Sequence, residues 1–140
     1  MTQEEILDYN RRCAEFLGCV EHSYPSSMGT PFHGRRVWMS PTSSDGKTRT
    51  FYCVVGEEHF HSDWNWIMEI CEAIEDIQIK EQYIYSVQPR GSACEIKCST
   101  QYSLAFDNEM PCIYEIAKSK KEAVVQAINQ FLIWYNENKS

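Results

Sequence analysis

The segment FHSDWNWIMEICEAIEDI, residues 60–77, decides the predicted fold because it joins a helix start to a helical apolar stripe. Ser62 or Asp63 supplies a side-chain oxygen that can accept the free backbone N–H groups at a helix start. The apolar stripe consists of Trp64, Ile67, Met68, Cys71 and Ile74. A helix with one apolar face must cover another apolar layer, so we expect a helix over residues 63–77 lying on a sheet.

Two further helices are predicted at the ends of the chain. Thr2 with Glu5, and Ser119 with Glu122, have the spacing of a capping box, in which each residue can satisfy the other's backbone N–H. Gly18 is suited to end the first of these helices. The third helix has the longest apolar stripe, made of Val124, Ala127, Ile128, Phe131, Leu132 and Tyr135.

Between the helices, short apolar runs alternate with turn residues and predict antiparallel strands. The first hairpin joins residues 36–39 to residues 48–55 through Asp45-Gly46. Later strands are predicted at 83–87, 93–98, 102–106 and 112–117. We therefore expect an α+β fold: one domain, residues 1–140, with an antiparallel β-sheet of about 4–5 strands covered by three amphipathic helices as an α-β-α sandwich.

Charge and composition weigh against several classes of partner. The formal net charge is -7, which disfavours binding to a nucleic acid polymer or to an anionic membrane. The acidic start has no apolar run, and nowhere do 18 consecutive apolar residues occur. Seven cysteines at scattered spacings are typical of free thiols in a reducing compartment, so we expect a cytoplasmic protein.

His59 and His61 are candidate metal ligands, because residues two apart on a strand share a face. A zinc site needs further ligands, and Asp63 is better used as a helix cap. We therefore predict no metal and no cofactor. Neither a catalytic motif nor a glycine-rich phosphate loop is found, so we name no catalytic residue and leave enzymatic activity open.

Arginines and aromatic residues together suggest an anion-binding hairpin. Arg35, Arg36 and Arg49 flank it, and Trp38 and Tyr52 lie on its strands. Arginine forks suit phosphate, and aromatic rings stack on bases. The alternative is an ordinary solvated hairpin with surface arginines.

The entry to the second helix is a possible second wall of such a site. Trp64 and Trp66 lie about 200° apart on a helix, so both cannot face one core layer. One of them is left for an interface or for a ligand. The full set of predicted ligand-binding residues is Arg35, Arg36, Trp38, Arg49, Tyr52, His59, His61, Trp64 and Trp66.

Residues 60–68, 119–125 and 131–136 together resemble small bacteriophage and prophage proteins of the phage α-β-α sandwich domain family. The resemblance covers the helices, roughly half of the chain. It implies a sandwich fold and a phage protein in the cytoplasm of a bacterial host. It implies no reaction and no catalytic residue.

These observations lead to one expected function and two alternatives. We expect a non-enzymatic, phage-type accessory protein that sequesters a nucleotide-derived immune signal as a counter-defence sponge. The first alternative is an inhibitor or modulator that binds a host protein, and the second is a small enzyme acting on a nucleotide. A homo-oligomer is compatible with all three.

Overall fold

The computed structural model describes residues 1–23, 35–40, 51–81, 83–100 and 112–138. Within these ranges, three helices and two antiparallel sheets of three strands each confirm the α+β class. The predicted single sheet of about 4–5 strands is not matched among these residues, where the strands form two sheets of three. Each strand pairs with its neighbours in sequence, and the long helix that follows the third strand separates the two groups.

The chain divides into two compact units, Met1–His59 and Phe60–Ser140, which are described separately below as unit 1 and unit 2. The expectation of a single domain stays a prediction. A strand pattern in the sequence indicates which residues are extended, but it does not say which strands share a sheet.

Unit 1 contains α1 (Gln3–Phe16), β1 (Val20–Ser23), β2 (Arg36–Met39) and β3 (Phe51–Val54). The predicted hairpin is confirmed, since β2 pairs antiparallel with β3, with a register irregularity after Trp38. Strand β1, which the sequence pattern did not predict, pairs antiparallel with the other side of β2. It has only four residues and a largely polar composition, which gives it little strand signal.

The start and end of α1 follow the sequence prediction. The Thr2 side-chain oxygen accepts the backbone N–H of Glu5 at 3.1 Å. Gly18 lies just past the helix with φ of +86°, a conformation that a residue with a Cβ adopts at a cost. Tyr9 and Cys13 of α1 are fully buried.

Unit 2 contains α2 (Trp64–Glu81), β4 (Tyr83–Arg90), β5 (Ala93–Thr100), β6 (Ile113–Ile116) and α3 (Lys120–Asn138). All three strands are antiparallel to their neighbours, in the order β4-β5-β6. The predicted strand over residues 102–106 and the turn at residues 45–46 lie outside the described residues.

Both helices of unit 2 begin at the predicted caps. An Asp63 carboxylate oxygen accepts the backbone N–H of Asn65 at 2.8 Å, and the Ser119 hydroxyl accepts that of Glu122 at 3.2 Å. Helix α2 runs four residues beyond its predicted end. Of the described helices, none is long and apolar enough to cross a membrane.

Helices α2 and α3 lie side by side on the same face of the β4-β5-β6 sheet. The ring of Phe131 on α3 packs edge-on against Tyr85 on β4, with centroids 5.4 Å apart. Cys94 and Ile96 of β5 project to this same face and are fully buried. Unit 2 therefore has two layers, with both of its helices on one face of its sheet, whereas the sequence predicted helices on both faces.

The apolar stripe of α2 is narrower than predicted. Ile67, Cys71 and Ile74 are buried as expected, but Trp64 and Met68 are exposed. Both lie at the edge of the stripe, where a helix resting on a flat sheet loses contact with it.

Candidate anion-binding site

Trp38, a predicted stacking residue, is instead the centre of a buried polar cluster in unit 1. Only 1% of its surface is exposed, and its indole N–H donates to a Glu58 carboxylate oxygen at 2.7 Å. Glu58 is itself 5% exposed and also accepts the backbone N–H of Gly56 at 2.9 Å. The Arg11 guanidinium lies over the Trp38 ring, 5.3 Å from its centroid. The ring is thus occupied by intramolecular contacts.

Arg36 and Arg11 both bind the carboxylate of Glu21. Arg36 Nε donates to one oxygen, and Arg11 Nη1 donates to the other at 2.8 Å. The hydrogen bond from Arg11, followed by that from Arg36, lowers the pKa of Glu21. The hydrogen bond to Glu21 likewise raises the pKa of Arg11. The positive charge of Arg36 is therefore largely compensated within unit 1.

Of the other predicted residues of the hairpin, the structure describes Arg35 and Tyr52. Arg35 pairs with Glu57 at 3.3 Å, and both side chains are about half exposed. Tyr52 is partly buried on β3, at the register irregularity. Arg49 lies outside the described residues.

The predicted residues at the entry to α2 have separate environments. His59 is exposed at the end of unit 1, and His61 is partly buried at the start of unit 2. Trp66 packs edge-on against Phe60, with ring centroids 4.8 Å apart, whereas Trp64 remains 38% exposed. Over the described ranges, no three side chains of His, Cys, Asp or Glu are grouped so that they could hold a metal ion.

The buried thiols are poorly suited to nucleophilic chemistry. Burial raises the pKa of Cys53 and of Cys71 to about 12, and that of Cys94 to about 11. The thiolate is the nucleophile, and a raised pKa keeps these groups in the thiol form near neutral pH. Cys112 is exposed. Desolvation of its thiol and the hydrogen bond from this thiol to Glu95 nevertheless raise its pKa.

A different set of basic residues, which sequence reasoning missed, lies at one end of the β4-β5-β6 sheet. Lys118, Lys120 and Lys121 surround the start of α3, and Arg90 ends β4. We call these four residues the lysine end. Lys118, Lys120 and Arg90 are exposed.

Backbone hydrogen bonds fix the arrangement of the lysine end. The N–H of Ala117 donates to the carbonyl of Ser92 at 2.9 Å, which ties the end of β6 to the β4–β5 turn. Arg90 pairs with Ala93, and Ala93 pairs with Ile116. Because neighbouring strands lie about 4.8 Å apart, the backbone of Arg90 is about 10 Å from that of Ile116.

Trp64 is the aromatic neighbour of the lysine end. The Lys121 ammonium lies 5.9 Å from the Trp64 ring centroid, so the first turns of α2 and α3 are adjacent. These turns carry the positive ends of two helix dipoles. Asp63 and Glu122 lie in the same turns and offset part of the charge of the four cations.

The cations of the lysine end keep their charge available. The Arg90 guanidinium donates to the neutral amide oxygen of Gln88 at 2.8 Å. None of the ion pairs between described residues involves Arg90, Lys118, Lys120 or Lys121. The signal was visible as three lysines around Ser119, but the sequence was interpreted only as a helix cap.

Comparison of the chain with family models, with curated proteins and with solved structures gives no match. The resemblance to the phage α-β-α sandwich family therefore stays a prediction.

Proposed function

We propose that this chain is a non-catalytic binding protein whose ligand is anionic and carries an aromatic ring. A nucleotide-derived molecule fits this description. The observation that carries the proposal is the lysine end, where four cations have no carboxylate partner among the described residues. One of the four, Lys121, lies over the exposed Trp64 ring. In the phage setting that the sequence resemblance implies, such a protein would sequester an immune signal in the host cytoplasm.

Two features of the site support binding by charge and stacking. Lysine and arginine donate charge-assisted hydrogen bonds to phosphate, and a base stacked on an aromatic side chain contributes about 1–3 kcal/mol. The raised pKa values of Cys53, Cys71 and Cys94 weigh against an enzyme that uses one of these thiols as its nucleophile.

The test compares two variants that remove the same charge. Lys118→Ala with Lys120→Ala removes two cations of the lysine end, and Arg35→Ala with Arg36→Ala removes two from unit 1. Binding of ADP-ribose and of cyclic diadenylate is measured by calorimetry at low salt. We expect the lysine variant to lose at least about tenfold in affinity, since one charge-assisted hydrogen bond contributes about 1.5–3 kcal/mol, and the arginine variant to bind like the wild type.

Each outcome has a distinct meaning. Recovery of the unaltered nucleotide after heat denaturation supports sequestration, whereas a chemically altered nucleotide contradicts it and favours the enzyme alternative. Loss of binding in the arginine variant alone would assign the binding site to unit 1. Wild-type protein that binds neither probe would reject the proposal.

A second candidate function is binding of a host protein. The observation in its favour is the face of the β4-β5-β6 sheet opposite the helices, where Tyr114 and Ile116 are 56% and 65% exposed. Exposed apolar side chains close together on a rigid sheet are typical of interaction surfaces.

A further inference from the structure

Strand β6 is an edge of its sheet, and among the described strands it pairs with β5 alone. The N–H of Ala117 donates to the carbonyl of Ser92, which precedes β5. Hydrogen-bonding groups alternate in direction along an antiparallel strand. The backbone N–H and C=O of Glu115 therefore also face β5, whereas those of Tyr114 and Ile116 face outward. These outward groups have no strand opposite them among the described residues.

The two outward-facing residues of β6 are also exposed and apolar. Tyr114 and Ile116 have the largest exposed fractions of the large apolar side chains that the structure describes. Natural sheets usually protect an edge strand with charged residues, proline or a bulge, because an unprotected edge pairs with other strands. Strand β6 instead offers hydrogen-bonding groups and apolar surface from the same two residues.

The other edge of the sheet, β4, carries such protection. Arg90 pairs with Ala93 across the two-residue turn, so the backbone groups of Arg90 face β5. The preceding residue, Pro89, therefore faces outward, and proline has no N–H to donate. An added strand would lack a donor at Pro89, whereas the β6 edge keeps both of its outward donors.

Glu115 lies between the two outward-facing residues and selects the kind of strand. It is partly buried opposite Cys94, and it forms no ion pair within the described ranges. A residue added opposite Glu115 would form a non-hydrogen-bonded pair, in which side chains lie closest. Opposite charges stabilise such a pair. A second copy whose own outward-facing residues pair with those of β6 would place Ile113, Glu115 or Ala117 there, and none of these is a cation.

We propose that β6 is the docking edge for an extended, basic segment of a partner protein. The segment adds to the sheet as a fourth, antiparallel strand. Its apolar side chains lie beside Tyr114 and Ile116, and a lysine or arginine lies opposite Glu115. The net charge of -7 likewise favours a basic partner. The proposal rests on the second candidate function, protein binding, and is independent of anion binding at the lysine end.

The probes are two peptides with blocked ends, Thr-Val-Lys-Val-Thr and Thr-Val-Glu-Val-Thr. Hydrogen exchange of single amides is followed by NMR. In the free protein, we expect the N–H groups of Tyr114 and Ile116 to exchange quickly and that of Glu115 to exchange slowly. The lysine peptide should slow exchange at Tyr114 and Ile116. It should bind about fivefold more tightly than the glutamate peptide.

Three variants test the geometry of the edge. Glu115→Lys should reverse the preference between the two peptides. Ile116→Pro removes an outward N–H without removing a bond to β5, and it should abolish binding of the lysine peptide. Met68→Ala removes an exposed apolar side chain from α2 as the matched control, and binding should stay within about twofold of the wild type. If Ile116→Pro fails to fold, the Glu115→Lys reversal decides.

Several results would overturn the proposal. They are no binding of either peptide, equal binding of both, and binding that leaves exchange at Tyr114 and Ile116 unchanged. Slow exchange at these two residues without peptide, in a dimer that forms with concentration, would assign the edge to a second copy instead. Nucleotide binding is measured on the same proteins. A wild type that binds the lysine peptide but no nucleotide supports the docking edge and rejects the anion-binding function alone.

Discussion

Units 1 and 2 each contain a group of basic residues, and the two groups differ in what they contact. In unit 1, Arg11 and Arg36 share the carboxylate of Glu21, and Arg35 pairs with Glu57. At the lysine end of unit 2, Lys121 faces the Trp64 ring and Arg90 binds a neutral amide. The number of cations in a segment therefore says little about whether they can bind an anion.

The aromatic residues of the two units differ in the same way. Trp38 is enclosed, with its N–H on Glu58 and its ring under Arg11. Trp64 and Tyr114 have large exposed surfaces. The arginines and tryptophan of unit 1 contact other residues of that unit, whereas Trp64 and Tyr114 of unit 2 are exposed.

The largest effect on stability is expected for Glu58→Ala. The substitution leaves the buried indole N–H of Trp38 without an acceptor, and an unsatisfied buried donor costs about 1–3 kcal/mol. Urea denaturation measures the change in the free energy of unfolding. Glu57→Ala, at the neighbouring exposed position, serves as the matched control. Equal losses in the two variants would contradict the structural role of the buried cluster.

A smaller loss, about 1 kcal/mol, is expected for Glu21→Gln, because the partners of Glu21 are about half exposed. Pairing lowers the pKa of Glu21 below 4.5, so its carboxylate stabilises the fold above that pH. This stabilisation is lost as the pH falls through the folded-state pKa. The difference in unfolding free energy between wild type and variant should therefore be full at pH 7 and vanish in acid. A difference that persists at pH 2 would contradict the assignment.

Glu21→Gln also tests directly why unit 1 is not the proposed site. In the Lys118→Ala, Lys120→Ala background, the substitution frees Arg11 and Arg36 from their carboxylate. We expect this triple variant to bind pyrophosphate detectably, as measured by calorimetry at low salt, whereas the double lysine variant does not. If it does not, pairing with Glu21 is not what prevents unit 1 from binding anions.

The sequence was most informative where a signal is local. The caps at Thr2, Asp63 and Ser119 involve residues within three positions of one another, and all three are found as predicted. The hairpin of β2 and β3 was likewise predicted from adjacent segments. Helix starts and hairpins depend on neighbouring residues, which the sequence shows directly.

The parts that sequence reasoning missed depend on contacts between distant residues. Glu21 and Glu58 lie 15 and 22 positions from Arg36, so their effect on the predicted hairpin could not be read from local spacing. The division into two sheets, and the placement of Arg90 and Lys118 at the same end of the β4-β5-β6 sheet, also depend on strand order. Whether a charge is paired is a tertiary property, which the sequence pattern of the arginine hairpin does not show.

The smallest effect is expected for Arg35→Ala, which removes the exposed pair with Glu57. Both side chains are about half exposed, so solvent screens their attraction, and such pairs contribute about 0–1 kcal/mol. The free energy of unfolding should fall by less than about 0.5 kcal/mol and should become indistinguishable from wild type in 1 M NaCl. A loss as large as that of Glu58→Ala would show that Arg35 supports the fold through contacts other than this pair. An unchanged stability combined with lost nucleotide binding would instead show that Arg35 belongs to a binding site. That result would contradict the proposed difference between the basic residues of the two units.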